Sequence, residues 1–174
     1  MTPQLTPAQL TTLRNAINAD PVLSALEDTP DNALIVADEF NLLASPAFWA
    51  WRTKVSKDEY TKGTGPSGTL FDWASAGGFI ARSQGERDAW KELFNGTNTT
   101  DPSRTNVRAA FDDIFSGSAN SAPAQRAHLS AICKRFASRG EAIFASGAGT
   151  TATPGTLGYE GDITEHAVAR EIYN

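Results

Sequence analysis

Apolar residues recur at helical spacing along most of the chain, and nearly every such stretch opens on a capping residue. Leu10, Leu13 and Ile17 share a face behind Thr6-Pro7-Ala8-Gln9. There Thr6 is the N-cap, Pro7 takes the first helical position, where its missing N–H is not needed, and Gln9 closes a capping box. Asp20-Pro21 opens a second short helix through Leu23 and Leu26. Thr29-Pro30 opens a third, with Val36, Phe40 and Leu43 on one stripe. Ser45-Pro46 predicts an aromatic helix carrying Phe48, Trp49 and Trp51, and Ser56 with Glu59 supplies another capping box.

Lys62-Gly63-Thr64-Gly65-Pro66-Ser67-Gly68 ends the helical period. Thr69–Trp73 and Gly77–Ile80 predict a β-hairpin near 69–80, packed on the helices because an isolated two-stranded ribbon is marginal. Helical order resumes at Ser83, whose capping box closes with Glu86, and Trp90, Leu93 and Phe94 form the buried stripe up to Asn95-Gly96. Residues 95–103 read as a polar loop. Val107, Ala110, Phe111, Ile114 and Phe115 give the cleanest helical period, ended by Gly117, with a small-residue loop over Ser116–Pro123. The longest helix is expected from about Pro123 to Ser146, with Leu129, Ile132, Cys133, Phe136, Ile143 and Phe144 on its apolar face and a break near Gly140. Gly147–Gly158 is rich in Gly, Thr and Ala and predicts an extended or mobile arm. Thr164 caps a last helix through Glu165, Val168 and Ile172. The expected fold is mainly α: a bundle of short capped helices with a small β-hairpin insertion and an extended C-terminal arm. Residues 1–146 form the helical domain, and 147–174 form the arm and a short terminal helix.

A chain of 174 residues suits one domain with an ordered tail and a core that needs no staples. The net charge of −5 argues against general nucleic-acid binding, which needs a basic footprint. One cysteine, Cys133, excludes a disulfide framework and multi-cysteine zinc sites, and fits a reducing cytoplasm. No apolar stretch is long enough to span a bilayer, and the opening residues lack a secretory pattern, so neither membrane nor secretion is expected.

The chemistry is sparse. Cys133 with His128 invites a nucleophile-and-base reading. Cys133 is, however, in register with Leu129, Ile132 and Phe136, and His128 lies five residues earlier, on another face. No His, Cys, Asp or Glu pair has the spacing of the usual metal-ligand motifs, and Gly147-Ala148-Gly149-Thr150-Thr151 lacks the lysine of a phosphate loop. No catalytic residue, metal or cofactor is therefore expected. Arg126, Lys134, Arg135 and Arg139 give the long helix a basic side. It is either a solvated face or a docking surface for an acidic neighbour or DNA. On a helix Phe48, Trp49 and Trp51 cannot all point one way. Either one fills the core while another meets a second subunit, or all three share one core.

Phe48-Trp49-Ala50-Trp51-Arg52-Thr53-Lys54-Val55-Ser56 resembles the WVWRTxVS stretch of a family of small virion-region proteins of tailed bacteriophages. The resemblance continues through Leu5–Leu10, Arg82–Trp90, Asn106–Gly117 and Arg139–Gly147. It then runs into Ala152-Thr153-Pro154 and Tyr159-Glu160-Gly161, covering nearly the whole chain in order. It implies a structural or assembly protein of the head and neck, with no catalytic residues. A head-to-tail adaptor forming a ring beneath the portal leads; a tail-completion or minor capsid protein is the alternative within that class. The implied partners are other copies of the chain, portal and tail or neck proteins, and phage DNA passing without sequence-specific binding. Its place would be the virion neck, and the host cytoplasm during assembly. Phe48, Trp49, Trp51, Arg126, Arg135, Arg139 and Tyr159 are the candidate interface residues. The contrasting class is a small cytoplasmic hydrolase using Cys133 or His128.

Overall fold

The computed structural model describes residues 4–65, 68–118 and 120–172, with side chains to Ala169 in the last helix. Pro66 and Ser67 of the expected Gly-rich break, and the side chain of Ile172, lie outside the described residues. Among the described residues the helices are α1 (Pro7–Ala19), α2 (Pro30–Asn41), α3 (Lys57–Lys62), α4 (Gln84–Glu92), α5 (Thr105–Ile114), α6 (Ala122–Ile132), α7 (Arg139–Ile143) and α8 (Glu165–Ile172). The strands are β1 (Trp49–Trp51), β2 (Val55–Ser56), β3 (Thr99–Thr100) and β4 (Lys134–Phe136). Strands β1 and β4 pair as one two-stranded sheet, and β2 and β3 as another. The fold is mainly α with a small β element.

The chain divides into two compact units, Met1–Ala50 with Phe136–Asn174, and Trp51–Arg135. This differs from the expected division at residue 146. In the first unit α1 buries Leu10, Leu13 and Ile17 behind a complete capping box, with the Gln9 side chain accepting from Thr6 N–H at 2.9 Å. Helix α2 buries Ala33, Val36, Ala37 and Phe40. Tyr159, Ile163 and Val168 complete that core, because burying a large apolar side chain is worth about 1.5–3 kcal/mol. The terminal helix is thus part of the first unit's core.

Gly147–Gly158 forms neither helix nor named strand, yet it is pinned along its length. Trp49 N–H donates to Gly149 C=O at 2.7 Å, Gly155 N–H donates to Trp49 C=O at 2.8 Å, and Ser146 and Thr156 exchange two backbone bonds. The Phe48 ring occupies the space that a Cβ on Gly149 or Gly155 would need, and Gly149 has φ +65°. Glycine is required there for both reasons.

The second unit packs α3 to α6 around Tyr60, Phe71, Trp90, Phe94, Phe111 and Phe115. Their rings meet mostly edge to face, as between Trp90 and Phe94 at 5.1 Å and Tyr60 and Phe111 at 5.2 Å, the arrangement that ring quadrupoles favour. The expected capping boxes at Ser56–Glu59 and Ser83–Glu86 both form. In the antiparallel pair, Val55 faces Thr100 and Ser56 faces Thr99.

Several local expectations are corrected. Phe48–Trp51 is not helical: β1 alternates, with Ala50 buried between two half-buried tryptophans. Bulky aromatics suit that pleated geometry, and the backbone of Trp49 is held by distant partners. No strand forms at 69–80. Its halves are joined by Phe79 N–H to Asp72 C=O and Ile80 N–H to Trp73 C=O, both at 2.9 Å. The Asp72 carboxylate takes the Ala74 and Ser75 N–H groups instead, favouring a turn. The expected long helix is two helices separated by β4, because Ser138 and Glu141 form a capping box that restarts the chain. The Asp20-Pro21 helix is one 3₁₀ turn, Leu23–Ala25. Leu43 lies beyond the end of α2 and is exposed.

Gly147 (φ +101°) has no side chain near its Cβ position. Gly147→Ala is expected to cost only backbone strain, about 1–2 kcal/mol. Gly149→Ala adds overpacking against Phe48, about a further 1–3 kcal/mol. Urea unfolding of both variants checks this, and equal losses would contradict the role given to Phe48.

Candidate functional site

In the first unit, Phe48 lies half-buried over the Gly149–Gly155 segment, and the Trp49 ring rests on Phe136 at 4.2 Å. Tyr159, expected at an interface, is instead a core residue. Its ring meets Phe144 at 5.7 Å, and its hydroxyl donates to Asp162 C=O at 2.8 Å. Arg139 lies over the Phe40 ring at 4.6 Å and pairs with Asp20 at 2.7 Å and Glu39 at 3.3 Å. The Arg139 guanidinium, followed by the Leu23 and Val22 N–H groups, holds the Asp20 carboxyl below its ordinary range.

In the second unit, the Arg108 guanidinium stacks over the Trp51 ring at 4.4 Å, and the Lys134 ammonium lies 5.3 Å from the same centroid. Arg126, on α6, donates through Nη1 to the carbonyls of Phe115 and Gly117. Arg135 is half-buried on β4. The four basic residues expected along one helix stand instead on three elements, α6, β4 and α7. None of Phe48, Trp49 and Trp51 is fully buried, and each lies against a group of its own unit.

Cys133 and His128 do not form a nucleophile–base pair, because each is bonded to a different part of Tyr60. The thiol lies 3.3 Å from the Tyr60 hydroxyl, which also contacts Thr100 Oγ1 at 3.0 Å. The imidazole Nε2 lies 2.9 Å from Tyr60 C=O, and Nδ1 lies 3.2 Å from Thr69 Oγ1. Burial pushes the Cys133 thiol up to about 11, against a smaller opposing effect of the Tyr60 hydrogen bond. Among the described residues, no cluster of three or more His, Cys, Asp or Glu side chains is placed to hold a metal ion. No helix among them is long and apolar enough to cross a membrane.

Two features were missed by the sequence reading. The first is the outward side of α2 and its exit, where Leu34, Ile35, Leu42 and Leu43 are 47, 51, 58 and 67% exposed. The signal was the run Ala33-Leu34-Ile35-Val36-Ala37, since five consecutive apolar residues cannot share one helical face. The second is a pocket of about 170 Å³ in the second unit, lined by Trp51, Arg108, Phe111, Asp112, Arg126, Ser130 and Cys133. Its residues come from three separate segments, so no local pattern announces it. Comparison with known protein families, curated proteins and solved structures returns no match.

With its pKa at about 11, the Cys133 thiol has on the order of one thiolate per thousand molecules at pH 8. Ellman's reagent is expected to leave the folded chain unmodified and to react stoichiometrically once urea exposes the thiol. Rapid labelling of the folded chain would contradict this placement.

Proposed function

We propose that this chain is a non-enzymatic assembly protein of a tailed-phage virion, acting as a head-to-tail adaptor that forms a ring beneath the portal. The observation that carries the reading is α2, whose inner face fills its own core while its outer side presents Leu34 and Ile35 to solvent. On that outer side Leu34 and Ile35 stand between exposed Asp31 and Asp38, a small apolar patch with a charged rim, and contiguous exposed apolar residues mark association surfaces. A ring of copies supplies that interior, because a head-to-tail contact that closes after a fixed number of subunits leaves no copy uncovered. The resemblance of the motifs from Leu5 to Gly161 gives the assembly its setting.

The portal and the tail or neck proteins are the neighbours of such a ring. DNA passes its lumen without sequence-specific contact, and the net charge of −5 disfavours adhesion of the duplex. Cys133 and His128 act as core groups in this reading, since each spends its polar atoms on Tyr60 or Thr69.

The test is complementation of a phage lacking this gene. The wild-type chain is expected to restore tailed particles and to purify with them. A Leu34→Gln, Ile35→Gln double variant with an unchanged circular dichroism spectrum should lower the yield of tailed particles by about tenfold or more. Normal yield from that variant, or wild-type chain absent from purified particles, would overturn the reading.

A further inference from the structure

The pocket in the second unit has a composition that the assembly reading does not use. Helix α5 supplies Arg108, Phe111 and Asp112; α6 supplies Arg126, Ser130 and, at its C-cap, Cys133; Trp51 forms another wall. Two arginines thus share a small cavity with two aromatic residues, Cys133, Ser130 and one carboxylate residue. The carboxylate of Asp112 is 70% exposed and lies 3.9 Å from Arg126 Nε, a weak and screened partner.

What holds these cations is informative. Arg108 donates through Nη1 to the carbonyls of Pro102 and Ser103, both at 2.7 Å, and through Nη2 to Thr105 Oγ1 at 3.2 Å. Arg126 donates to the carbonyls of Phe115 and Gly117. Carbonyls fix a guanidinium in place without cancelling its charge, and both side chains retain further N–H donors. Lys134 brings a third cation over the same Trp51 ring, and burial lowers its pKa, as expected of an ammonium short of solvent. A partly desolvated positive field in a chain of net charge −5 is a preorganised anion site.

Size and lining narrow the anion. A cavity of about 150 Å³ accepts a molecule as large as benzene, so this pocket of about 170 Å³ has room for about six heavy atoms and not for a whole cofactor or nucleotide. The lining residues Phe111, Trp51 and Cys133 favour an apolar stem, while planar guanidinium groups match a planar carboxylate. We propose that this pocket binds a carboxylate on a short apolar stem, the chemistry of a glutamate side chain or of a free short-chain carboxylic acid. This does not rest on the assembly reading.

The experiment uses the full chain, with the Trp51 indole N–H resonance assigned through Trp51→Phe. Butyrate, n-butanol, inorganic phosphate, and a blocked peptide carrying one glutamate, with its Gln counterpart, are each titrated. Butyrate and the Glu peptide are expected to shift the Trp51 signal saturably, with n-butanol, phosphate and the Gln peptide about tenfold weaker or silent. Tighter binding of the Glu peptide than of butyrate identifies a polypeptide as the source; the reverse identifies a free acid. In Arg108→Gln and Arg126→Gln, the butyrate affinity should fall about tenfold. If either variant unfolds, the butyrate-to-butanol comparison on the wild-type chain decides alone. No saturable shift with either carboxylate, or equal binding of butyrate and n-butanol, or of butyrate and phosphate, would overturn the assignment.

Discussion

A helix has one side to turn toward its own core, and Ala33-Leu34-Ile35-Val36-Ala37 places apolar side chains on more than that side. Everything in the first unit answers to this constraint. The inner set, Ala33, Val36, Ala37 and Phe40, is the surface on which Tyr159, Ile163 and Val168 close. Gly140 lets α7 approach so closely that a Cβ there would meet the Ile163 side chain and the Phe40 carbonyl. The outer set has no such cover within the unit. Covering it by another chain would lower free energy through the same burial that built the core.

The second unit meets a different constraint. Its aromatic core is built from rings edge to face, and the cations at its margin are tied to backbone carbonyls that terminate loops and helices. Arg108 fastens the residues before α5, and Arg126 fastens those after it. Their positive charge survives this structural duty, so one pair of side chains both finishes the fold and sets the field in the pocket. The buried Tyr60 hydroxyl and Cys133 thiol bond each other, the His128 imidazole bonds the Tyr60 carbonyl and Thr69, and burial keeps the Tyr60 hydroxyl and the thiol protonated.

The legible parts of the sequence were those fixed within four or five residues. Thr6 with Gln9, Ser56 with Glu59 and Ser83 with Glu86 each satisfy their own backbone N–H groups, and all three were read correctly. The same device at Ser138 and Glu141 was present but was absorbed into a longer apolar period, which hid the break after Ile132. Phe48–Trp51 looked helical because its partners, Ala137, Gly149 and Gly155, lie about ninety to a hundred residues away and leave no local trace. Tyr159 was assigned to an interface because sequence spacing does not reveal that Phe144 and the Asp162 carbonyl await it. The outer residues of α2 were readable from their run alone, while the Trp51 pocket was not.

Because Cys133 is buried, a cysteine placed on the outer side of α2 becomes a clean reporter of whether that side is covered. Thiol labelling of Ile35→Cys, compared between the free chain and purified phage particles, is the direct measurement. The account predicts ready labelling of the free chain and strong protection in the particle. Equal labelling in both would mean that no neighbour seats on α2.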